Sequence, residues 1–514
     1  MPPVNLVDFR SNRTPGTLIL RCDASVTLGT GHVMRCLALG QAWQDVGGKA
    51  VFALRESLAS VEERIRAERM GEVHLSAVDS LEDAGEVIRI AGDHHAGWVV
   101  LDGYGFNVSH QRALKDAGLK LLVIDDCAAV SNCFADLVLN QNAFAREEFY
   151  PATEPWTRLL LGPRFAMLRR EFAGWKEWDR SIAPCGSKIL VTMGGSDPDN
   201  VTLAVIEALC LVKNQLEVVV VIGGNNPHRP SLESAATNFH GNFRLLTNAG
   251  MPELMAWADL AVSSSGTTSA ELCMLGLPAI LIDIAANQSP VAKELDRLGA
   301  AIHFAPSDLR DRQQLARRVE HVLASSELRM RLSETARTLV DGEGAQRVVS
   351  AILESGLQLR PAEERDCTLL WEWANEPAVR AASFHQGLIP WERHVQWFQS
   401  RLRDPQAARI MMAVSSDHRD IGAVRFDLNG SRAVVSITLD KNARGMGHGR
   451  TILTMAAEEL FRTSPVMTLD AYVKPQNEAS RKLFESANFQ KNDSLESIDG
   501  EQAIHFVLCK KAAS

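Results

Sequence analysis

The sequence predicts an α/β protein with a pair of Rossmann-like domains followed by an α+β domain. From about residue 17 to about residue 350, short apolar runs alternate with longer amphipathic stretches, which is the pattern of a parallel sheet wrapped by helices. Near residue 355 the order changes to antiparallel-looking strands and a glycine-rich turn. The length of 514 residues also exceeds what one ordinary hydrophobic core supports, so several domains are expected.

The first Rossmann-like domain is predicted over residues 17–170. It opens with the strand TLILRC, a helix from His32 to Val46, the strand KAVFAL and a helical stretch from Val61 to Arg69. Further strands are predicted within GWVVLDGYG, LKLLVIDDC and ADLVLNQN. Parallel sheets of this kind bind ligands beyond the carboxyl ends of their strands, so the loops that follow the strands are the candidate site.

The second Rossmann-like domain is predicted over residues 171–354. It follows an aromatic, proline-bearing stretch between Tyr150 and Phe172, which interrupts the alternation. Its strands are predicted within SKILVTMGG, LEVVVVIGG, FRLLTN, ADLAVSSSG and LPAILID, and a helix is predicted from Asp311 to Ala324. Two halves of similar size predict a cleft between them.

The composition excludes several classes of function. The 54 basic and 63 acidic side chains give a formal net charge of -9, and no block of Lys or Arg would follow a phosphate backbone, so a nucleic-acid partner is not expected. No apolar run approaches the roughly 20 residues that cross a bilayer, so we expect a cytoplasmic protein with no membrane partner. The nine cysteines form no C-x-x-C pair and are expected to be reduced and buried.

The first chemical motif is the small-residue loop LRCDASVTLGTGHVMRC, which joins a strand to a helix. Gly29 and Gly31 let the backbone approach a ligand, and the amides of the first helical turn face outward. His32 follows directly, and an imidazole titrates near neutral pH, which suits a general base. The alternative is that this histidine caps the helix or packs beside it.

Two further loops predict a phosphate site in the second domain. VTMGGSDPDN places Gly194 and Gly195 between a strand and a helix. SSSGTTSAE offers hydroxyls and amides at another helix start, from Ser265, Gly266, Thr267 and Thr268, with Glu271 in the first turns of that helix. The alternative is that the Ser and Thr residues only cap the helix.

The first two domains resemble the sugar-nucleotide hydrolases of pseudaminic acid synthesis, whose fold is similar to GT-B glycosyltransferases. The resemblance runs to about residue 350 and includes VVLDGYG, VIDD, LNQNA, LLGPRFAMLRREF and VTMGGSDPDN. Its first motif consists of Arg21, Asp23, Ser25, Gly29, Gly31, His32, Arg35 and Cys36. It implies removal of UDP from UDP-2,4-diacetamido-2,4,6-trideoxy-beta-L-altropyranose with inversion at the anomeric carbon. It also implies that Glu271 binds the ribose hydroxyls.

Position at strand or loop ends adds weaker candidates for sugar binding. These are Asp102 and Asn140 in the first domain and Asn287 and Gln288 in the second. Arg21, Asp23 and Arg35 are also expected to contact the substrate on the strength of the resemblance. The adjacent carboxylates Asp125 and Asp126 could be proposed as metal ligands, but a loop or cap role is favoured because neighbours at a strand end point in different directions. No metal is required in this scheme.

The third domain, predicted over residues 355–514, resembles the GNAT superfamily of N-acetyltransferases. The glycine-rich turn with Arg444, Gly445, Gly447 and Gly449 is similar to the element that binds the pyrophosphate of coenzyme A, and Asn477 and Ser480 match a second coenzyme A segment. The resemblance implies acetyl-CoA as cosubstrate. Phe484 stands where many relatives have a tyrosine that protonates the thiolate. Asp440, His385, His394 or a chain of water molecules could serve as base, and Trp371, Trp373 and Trp397 are expected to pack in the core.

Together the two resemblances predict a bifunctional enzyme with a UDP-amino-sugar substrate. The acetyltransferase would modify the 4-amino group of the sugar, and the hydrolase would then release the diacetamido product from UDP. Two alternatives stay open. One is a GT-B glycosyltransferase that passes the sugar to an acceptor other than water, and the other is a non-catalytic sensor of nucleotide sugars.

Overall fold

The computed structural model describes residues 15–25, 28–77, 79–127, 133–154, 156–195, 197–224, 226–237, 239–247, 249–415, 419–444, 448–498 and 500–510. The chain forms two compact units, and the division falls between Val349 and Ser350. The first unit holds two parallel sheets, and the second holds one mixed sheet.

The first sheet has seven parallel strands in the order β3-β2-β1-β4-β5-β6-β7. The strands are β1 Thr17–Cys22, β2 Lys49–Leu54, β3 Gly71–His74, β4 Trp98–Asp102, β5 Lys120–Ile124, β6 Leu137–Asn140 and β7 Arg158–Leu161. The helices between them are α1 Gly31–Asp45, α2 Ala59–Ala67, α3 Ser80–Asp93 and α4 Val108–Asp116. The chain reverses its direction of growth between β1 and β4, which is where sheets of this kind open a ligand crevice.

The second sheet repeats the arrangement with six parallel strands in the order β10-β9-β8-β11-β12-β13. The strands are β8 Lys188–Thr192, β9 Glu217–Ile222, β10 Asn242–Thr247, β11 Leu260–Ser264, β12 Ala279–Ile282 and β13 Ile302–Phe304. Its helices are α5 Val201–Leu209, α6 Arg229–Thr237, α7 Met251–Trp257, α8 Thr268–Met274, α9 Ser289–Arg297, α10 Arg312–Ala324 and α11 Ser326–Leu339. The following helix, α12 Gly344–Glu354, spans the division between the units.

The second unit is built on a sheet in the order β14-β15-β16-β17-β18-β20-β19. The strands are β14 Gln358–Pro361, β15 Ala408–Val414, β16 Asp420–Asn429, β17 Arg432–Leu439, β18 Thr468–Val473, β19 Gln490–Ile498 and β20 Glu501–Cys509. The helices are α13 Cys367–Asn375, α14 Pro377–Ala382, α15 Trp391–Arg403, α16 His448–Thr463 and α17 Glu478–Ser486. All neighbouring strands are antiparallel except β17 and β18, which run parallel.

The parallel pair β17 and β18 is short. Its register covers three residue pairs, from Arg432 opposite Thr468 to Val434 opposite Asp470. Strand β17 continues to Leu439 in its pairing with β16, and β18 continues to Val473 in its pairing with β20. The sheet therefore splits between β17 and β18 on the side toward their carboxyl ends.

The structure corrects the sequence predictions in several places. Strand β7 lies inside the stretch that was expected to interrupt the first domain, and β3 and β13 were not predicted because each is short and only partly buried. Three helices instead of two lie between β14 and β15, since α14 has only six residues. Four cysteines are exposed, contrary to the expectation of burial: Cys127, Cys185, Cys210 and Cys509.

In the part of the chain that the structure describes, no helix combines the length and the apolar character needed to span a bilayer. The cores consist of apolar side chains on the inner faces of the sheets. One half-buried arginine lies at the carboxyl ends of two helices. Arg180 donates to the carbonyl oxygens of Met255, Ala258 and Leu275, which end α7 and α8, and so satisfies acceptors that those helices leave open.

Candidate active sites

His32 lies at the start of α1, just beyond the carboxyl end of β1. Gly29 has a φ of 75°, and its amide donates to the carbonyl of Ser25, which closes the loop before the helix. The imidazole is 8% exposed and meets the ring of Tyr104 edge to face, with 5.2 Å between the ring centroids. Its Nε2 atom lies 4.0 Å from a carboxylate oxygen of Asp126. The sequence therefore brings an imidazole and a carboxylate together at the edge of the sheet.

Asp126 is held in place by Arg35, one turn of α1 after His32. The buried guanidinium pairs with Asp126 and donates from Nε and Nη2 to Asp102 over 2.6 and 2.5 Å. Burial raises the pKa of Asp126, but the positive charge of Arg35, its hydrogen bond and the proximity of His32 outweigh burial, so the pKa is lowered. Asp126 is thus an anion beside the imidazole.

Tyr104 links the two sheets of the first unit. It lies in the loop after β4, and its hydroxyl accepts a hydrogen bond of 2.8 Å from Nδ2 of Asn287, which follows β12 of the second sheet. Burial and the charge of Asp126 raise the pKa of Tyr104 to about 12, so the hydroxyl stays protonated at neutral pH. The predicted residue Asn287 therefore reaches the His32 side of the cleft.

The loops of the second sheet lie directly opposite the start of α1. A Cβ atom at Gly31 would be 3.7 Å from the side chain of Thr267, and one at Gly195 would be 3.0 Å from the hydroxyl of Thr30. Thr268 begins α8 and stands beside Thr267. The helix starts of α1 and α8 therefore bring His32 and the predicted phosphate-binding residues to one place.

The remaining residues of the predicted phosphate loops lie close to neighbouring side chains. Gly194 has a φ of 79°, and a Cβ atom there would be 3.6 Å from the hydroxyl of Ser264. The Ser265 hydroxyl donates to Asp283 over 3.3 Å. Gln288 accepts from the amide of Ile284, and its Nε2 would be 3.6 Å from a Cβ atom at Gly266.

Glu271, the predicted ribose-binding acid, pairs with Arg169. The two side chains are 2.8 Å apart, and the carboxylate is 12% exposed. Burial raises the pKa of Glu271, and the Arg169 charge offsets only part of this effect. A ribose hydroxyl that binds the Glu271 carboxylate would share that carboxylate with the Arg169 guanidinium.

Four residues that are predicted to contact the substrate have partners within the protein. Arg21 is 1% exposed and pairs with Asp83 and Asp23, and Asp23 also accepts from the amides of Arg55 and Glu56. Asp102 is occupied by Arg35. Asn140 donates to the hydroxyl of Tyr150 and accepts from the amide of Asn142. Arg35 is likewise paired with Asp102 and Asp126. All five residues therefore stabilise the loops around the cleft through contacts within the protein.

Sequence reasoning missed the pairing of Asp126 with His32 and Arg35. Asp125 has the favoured loop role, because its carboxylate accepts from the amide of Cys127, but Asp126 belongs to the site. The chain position after β5 was a visible signal. The proximity of Asp126 to His32 and Arg35 could not be seen in the sequence, since α1 and β5 are distant along the chain. Tyr104, two residues after Asp102, was likewise not singled out.

In the second unit, the predicted coenzyme A turn is only partly visible. Gly445 and Gly447 lie outside the described residues. Arg444 donates to Glu376 over 2.8 and 2.5 Å and to the carbonyl of Leu439, so it fixes the end of β17. A Cβ atom at Gly449 would be 3.2 Å from Leu483, which shows that this glycine allows α16 to pack closely on α17.

The second coenzyme A segment caps α17. The side chain of Asn477 accepts from the amide of Ser480 over 3.1 Å at the first turn of the helix. Phe484 is 4% exposed and packs against Phe489 and Phe506, so the place of a tyrosine hydroxyl is taken by an apolar edge in the core.

The predicted base candidates differ in their surroundings. Asp440 accepts from the indole of Trp373 over 3.2 Å and from the amide of Asn442 over 2.8 Å. His394 is buried, its Nε2 lies 3.0 Å from the carbonyl of Cys367, and burial lowers its pKa. His385 is exposed. Packing of Trp373 in the core is confirmed, whereas Trp371 and Trp397 are half-buried.

Two family models match the chain. The model of the glycosyltransferase family 28 C-terminal domain matches residues 189–348, which contain the second parallel sheet. The model of the acetyltransferase (GNAT) domain matches residues 357–490, which contain most of the mixed sheet.

The chain is also similar to whole proteins. An uncharacterized protein of Methanocaldococcus jannaschii is 24% identical over 489 residues, which are 91% of this chain and 96% of that protein. The UDP-2,4-diacetamido-2,4,6-trideoxy-beta-L-altropyranose hydrolase of Campylobacter jejuni is 25% identical over 291 residues, which are 56% of this chain and 98% of that protein. The crystal structure of MurG from Acinetobacter baumannii aligns with 65% of this chain and 98% of its own, at 16% identity and a TM-score of 0.47.

The expected fold class is confirmed: a GT-B-like pair of Rossmann-like domains precedes a GNAT domain. Both parts match families of enzymes, so the chain is an enzyme. The protein is thus a fusion of a domain pair like that of the UDP-diacetamido-trideoxy-altropyranose hydrolases with a GNAT acetyltransferase domain.

Proposed function

We propose that the second unit acetylates the 4-amino group of a UDP-linked amino sugar, and that the first unit then hydrolyses UDP-2,4-diacetamido-2,4,6-trideoxy-beta-L-altropyranose to UDP and the free sugar. The observation that carries the hydrolase proposal is the placement of His32. Its imidazole stands beside the anion Asp126, and the preceding residue, Gly31, lies against Thr267 at the start of α8. The named activity of the Campylobacter jejuni relative supports the substrate.

In the hydrolytic step, His32 removes a proton from water. The ring lies 4.0 Å from Asp126, and this carboxylate stabilises the imidazolium that forms when the ring accepts the proton. The water oxygen forms a bond to the anomeric carbon while the bond from that carbon to the diphosphate oxygen breaks. Attack opposite the leaving group inverts the configuration.

The departing UDP needs stabilisation of its negative charge. The amides and hydroxyls at the start of α8, from Gly266 to Thr268, supply hydrogen-bond donors at the positive end of a helix dipole. Glu271 stands three residues further along for the ribose. No metal has a role in this scheme.

The acetyltransferase proposal rests on the split sheet of the second unit. Strand β17 leads into the glycine turn at Arg444, where coenzyme A would be held by its pyrophosphate. Beyond Val434 the edge of β17 is not paired with β18, so the amide groups of coenzyme A can extend along that edge. The amine nitrogen attacks the thioester carbonyl and the carbon–sulfur bond breaks. Because Phe484 has no hydroxyl, the thiolate takes its proton from water.

A GT-B glycosyltransferase would use the same cleft, and the match to the glycosyltransferase family 28 domain favours this second candidate. The two candidates differ in what receives the sugar. Release of UDP in water alone, with no acceptor added, supports the hydrolase.

Substitution of His32 by alanine tests the hydrolase assignment. We expect His32→Ala to lower the rate of UDP release from the diacetamido nucleotide sugar by at least about 10²-fold, because the base is lost. Acetylation of the 4-amino precursor should continue at the wild-type rate. The matched control is His94→Ala, an exposed histidine that ends α3. UDP release at the wild-type rate by His32→Ala would remove His32 from the mechanism.

A further inference from the structure

A cluster of polar side chains occupies one face of the mixed sheet, opposite its main core. Along β18, Leu469, Ala471 and Val473 pack into the core with α16 and α17. Asp470 and Tyr472 alternate with them and therefore point to the other face. Three residues of neighbouring strands complete the group, so that the His505 cluster consists of Arg432, Asp470, Tyr472, Glu496 and His505.

The inner part of the His505 cluster is fully paired. Arg432 donates to both carboxylate oxygens of Asp470, over 3.0 and 2.5 Å, and Nε2 of His505 lies 2.8 Å from the same carboxylate. Burial raises the pKa of Asp470, but Arg432 and His505 outweigh it and the pKa is lowered. Asp470 is thus an anion that orients the imidazole.

The outer part of the cluster is not satisfied in the same way. Nδ1 of His505 is buried and makes no hydrogen bond, and a carboxylate oxygen of Glu496 lies 2.8 Å from it. The Glu496 side chain is 38% exposed. The ring of Tyr472 stacks on the imidazole with 4.8 Å between centroids. A carboxylate that solvent can reach therefore lies beside a buried imidazole nitrogen and an aromatic ring.

This outer part lies beside the split in the sheet. The pairing of β17 with β18 ends at Asp470, and Tyr472 is two residues beyond that point. Lys474, the next residue on this face, pairs with Glu501 and lies 5.8 Å from the ring of Phe384, in the segment between α14 and α15. Tyr472, at one end of the cluster, therefore lies beside the opening along which the thioester is proposed to extend.

We propose that Tyr472, Glu496 and His505 form the acceptor subsite of the acetyltransferase unit and bind a primary ammonium group. The inference rests on the proposed acetyl transfer. A carboxylate and an aromatic face are the two groups that attract an ammonium ion, and the second carboxylate, Asp470, is already neutralised by Arg432.

The cluster also accounts for the proton that the ammonium group must lose. The proton moves from nitrogen to the carboxylate of Glu496, and Nδ1 of His505 at 2.8 Å shares it. The nitrogen lone pair then forms the bond to the acetyl carbon while the carbon–sulfur bond breaks. The nitrogen gives its second proton to water as the amide forms, and coenzyme A leaves as its thiolate. Glu496 contacts the amine, whereas His505 acts as a positioning residue through Glu496.

The test uses the full chain with His32→Ala, so that hydrolysis does not consume the sugar. Initial rates of thiol release are measured with two probes, the UDP-linked 4-amino sugar and spermidine, each against acetyl-CoA. We expect Glu496→Gln to raise KM for the amine at least about tenfold and to leave KM for acetyl-CoA within about twofold. Glu496→Asp should restore part of the loss, and His505→Gln should lower kcat about tenfold. The matched control is Glu485→Gln, an exposed glutamate of α17.

The outcomes separate the two proposals. If the parent acetylates either amine and Glu496→Gln leaves KM for that amine unchanged, the acceptor subsite is wrong and the acetyltransferase proposal stands. If spermidine is acetylated and the sugar is not, the proposed substrate is wrong and the spermidine KM decides the subsite. If neither amine is acetylated, both proposals fail.

Discussion

At the scale of single residues, the chemistry proposed for the cleft depends on how His32 is held. The imidazole has one charged neighbour, Asp126, which is itself fixed by Arg35. Arg35 in turn is clamped by the buried Asp102, and its pKa is raised well above the usual value because both carboxylates outweigh the effect of burial. Arg35 and Asp126 therefore stay charged at neutral pH beside the imidazole.

Asp126→Asn tests this orientation. The substitution keeps the shape of the side chain and removes the charge that stabilises the imidazolium. We expect kcat for UDP release to fall about 10- to 100-fold, while KM for the nucleotide sugar stays within about twofold. Steady-state rates together with a thermal melt measure both effects. A wild-type kcat in the folded variant would show that Asp126 only supports the loop.

A second group of charges sets the pH dependence of stability. Asp83 is paired with Arg21 and lies 2.9 Å from Nε2 of His110. Burial raises the pKa of Asp83, but the hydrogen bonds from His110 and Arg21 outweigh it and lower the pKa to about 2. A carboxylate with a lowered pKa contributes stability above its ordinary pKa, and this contribution is lost as the pH falls from about 4 toward about 2.

Asp83→Asn therefore has a predictable effect. We expect the free energy of unfolding of the first unit to fall by roughly 3 kcal/mol at pH 7, because Arg21 is left buried without its main partner. The difference from wild type should shrink between about pH 4 and pH 2. Urea unfolding across this range measures it, and equal stability of both proteins at pH 7 would contradict the role of the pair.

At the scale of residues, the reactive side chain could be identified from the sequence more successfully than the residues around it. His32 and Thr267 were identified from a loop followed by a helix, and the structure places them together. Arg21 was expected to contact the substrate because of the resemblance, and Asn140 because it lies at a strand end. Their internal partners, Asp83 and Tyr150, belong to other segments, and a pattern along one chain does not show such partners.

At the scale of secondary-structure elements, the cleft is built from loops that need close backbone contact. Gly223 follows β9, and a Cβ atom there would be 2.5 Å from the carbonyl oxygen of Gly195. The neighbouring Gly224 has open space at the same position. The loop after β9 therefore lies in close contact with the Gly195 loop, which faces Thr30.

These two glycines give a matched pair of variants. We expect Gly223→Ala to push the Gly195 loop away and to weaken UDP binding about tenfold, and Gly224→Ala to bind UDP as wild type does. Titration calorimetry with UDP measures both. Equal affinities of the two variants would show that this contact does not shape the nucleotide site.

The elements themselves were predicted well where periodicity was strong. The helix expected from His32 to Val46 is α1, Gly31–Asp45, and the one expected from Asp311 to Ala324 is α10, Arg312–Ala324. Strand β7 was missed because its neighbours are proline and aromatic residues, which are typical of loops. The split between β17 and β18 is a matter of pairing between distant strands, which no local pattern reveals.

At the scale of the whole molecule, two consecutive reactions are proposed for one chain. The first unit holds the His32 cleft, and the second holds the split sheet with the His505 cluster. The order of the reactions follows from their chemistry, because the hydrolase is proposed to act on the diacetamido sugar that acetylation produces. Joining the two units raises the local concentration of that intermediate near the cleft.

The most direct test is to incubate the purified chain with the UDP-linked 4-amino sugar, with and without acetyl-CoA, and to follow the products by NMR. We expect free 2,4-diacetamido-2,4,6-trideoxy sugar and UDP only when acetyl-CoA is present, with the first sugar anomer formed inverted relative to the substrate. Release of UDP without acetyl-CoA, or an acetylated nucleotide sugar that is never cleaved, would contradict the account.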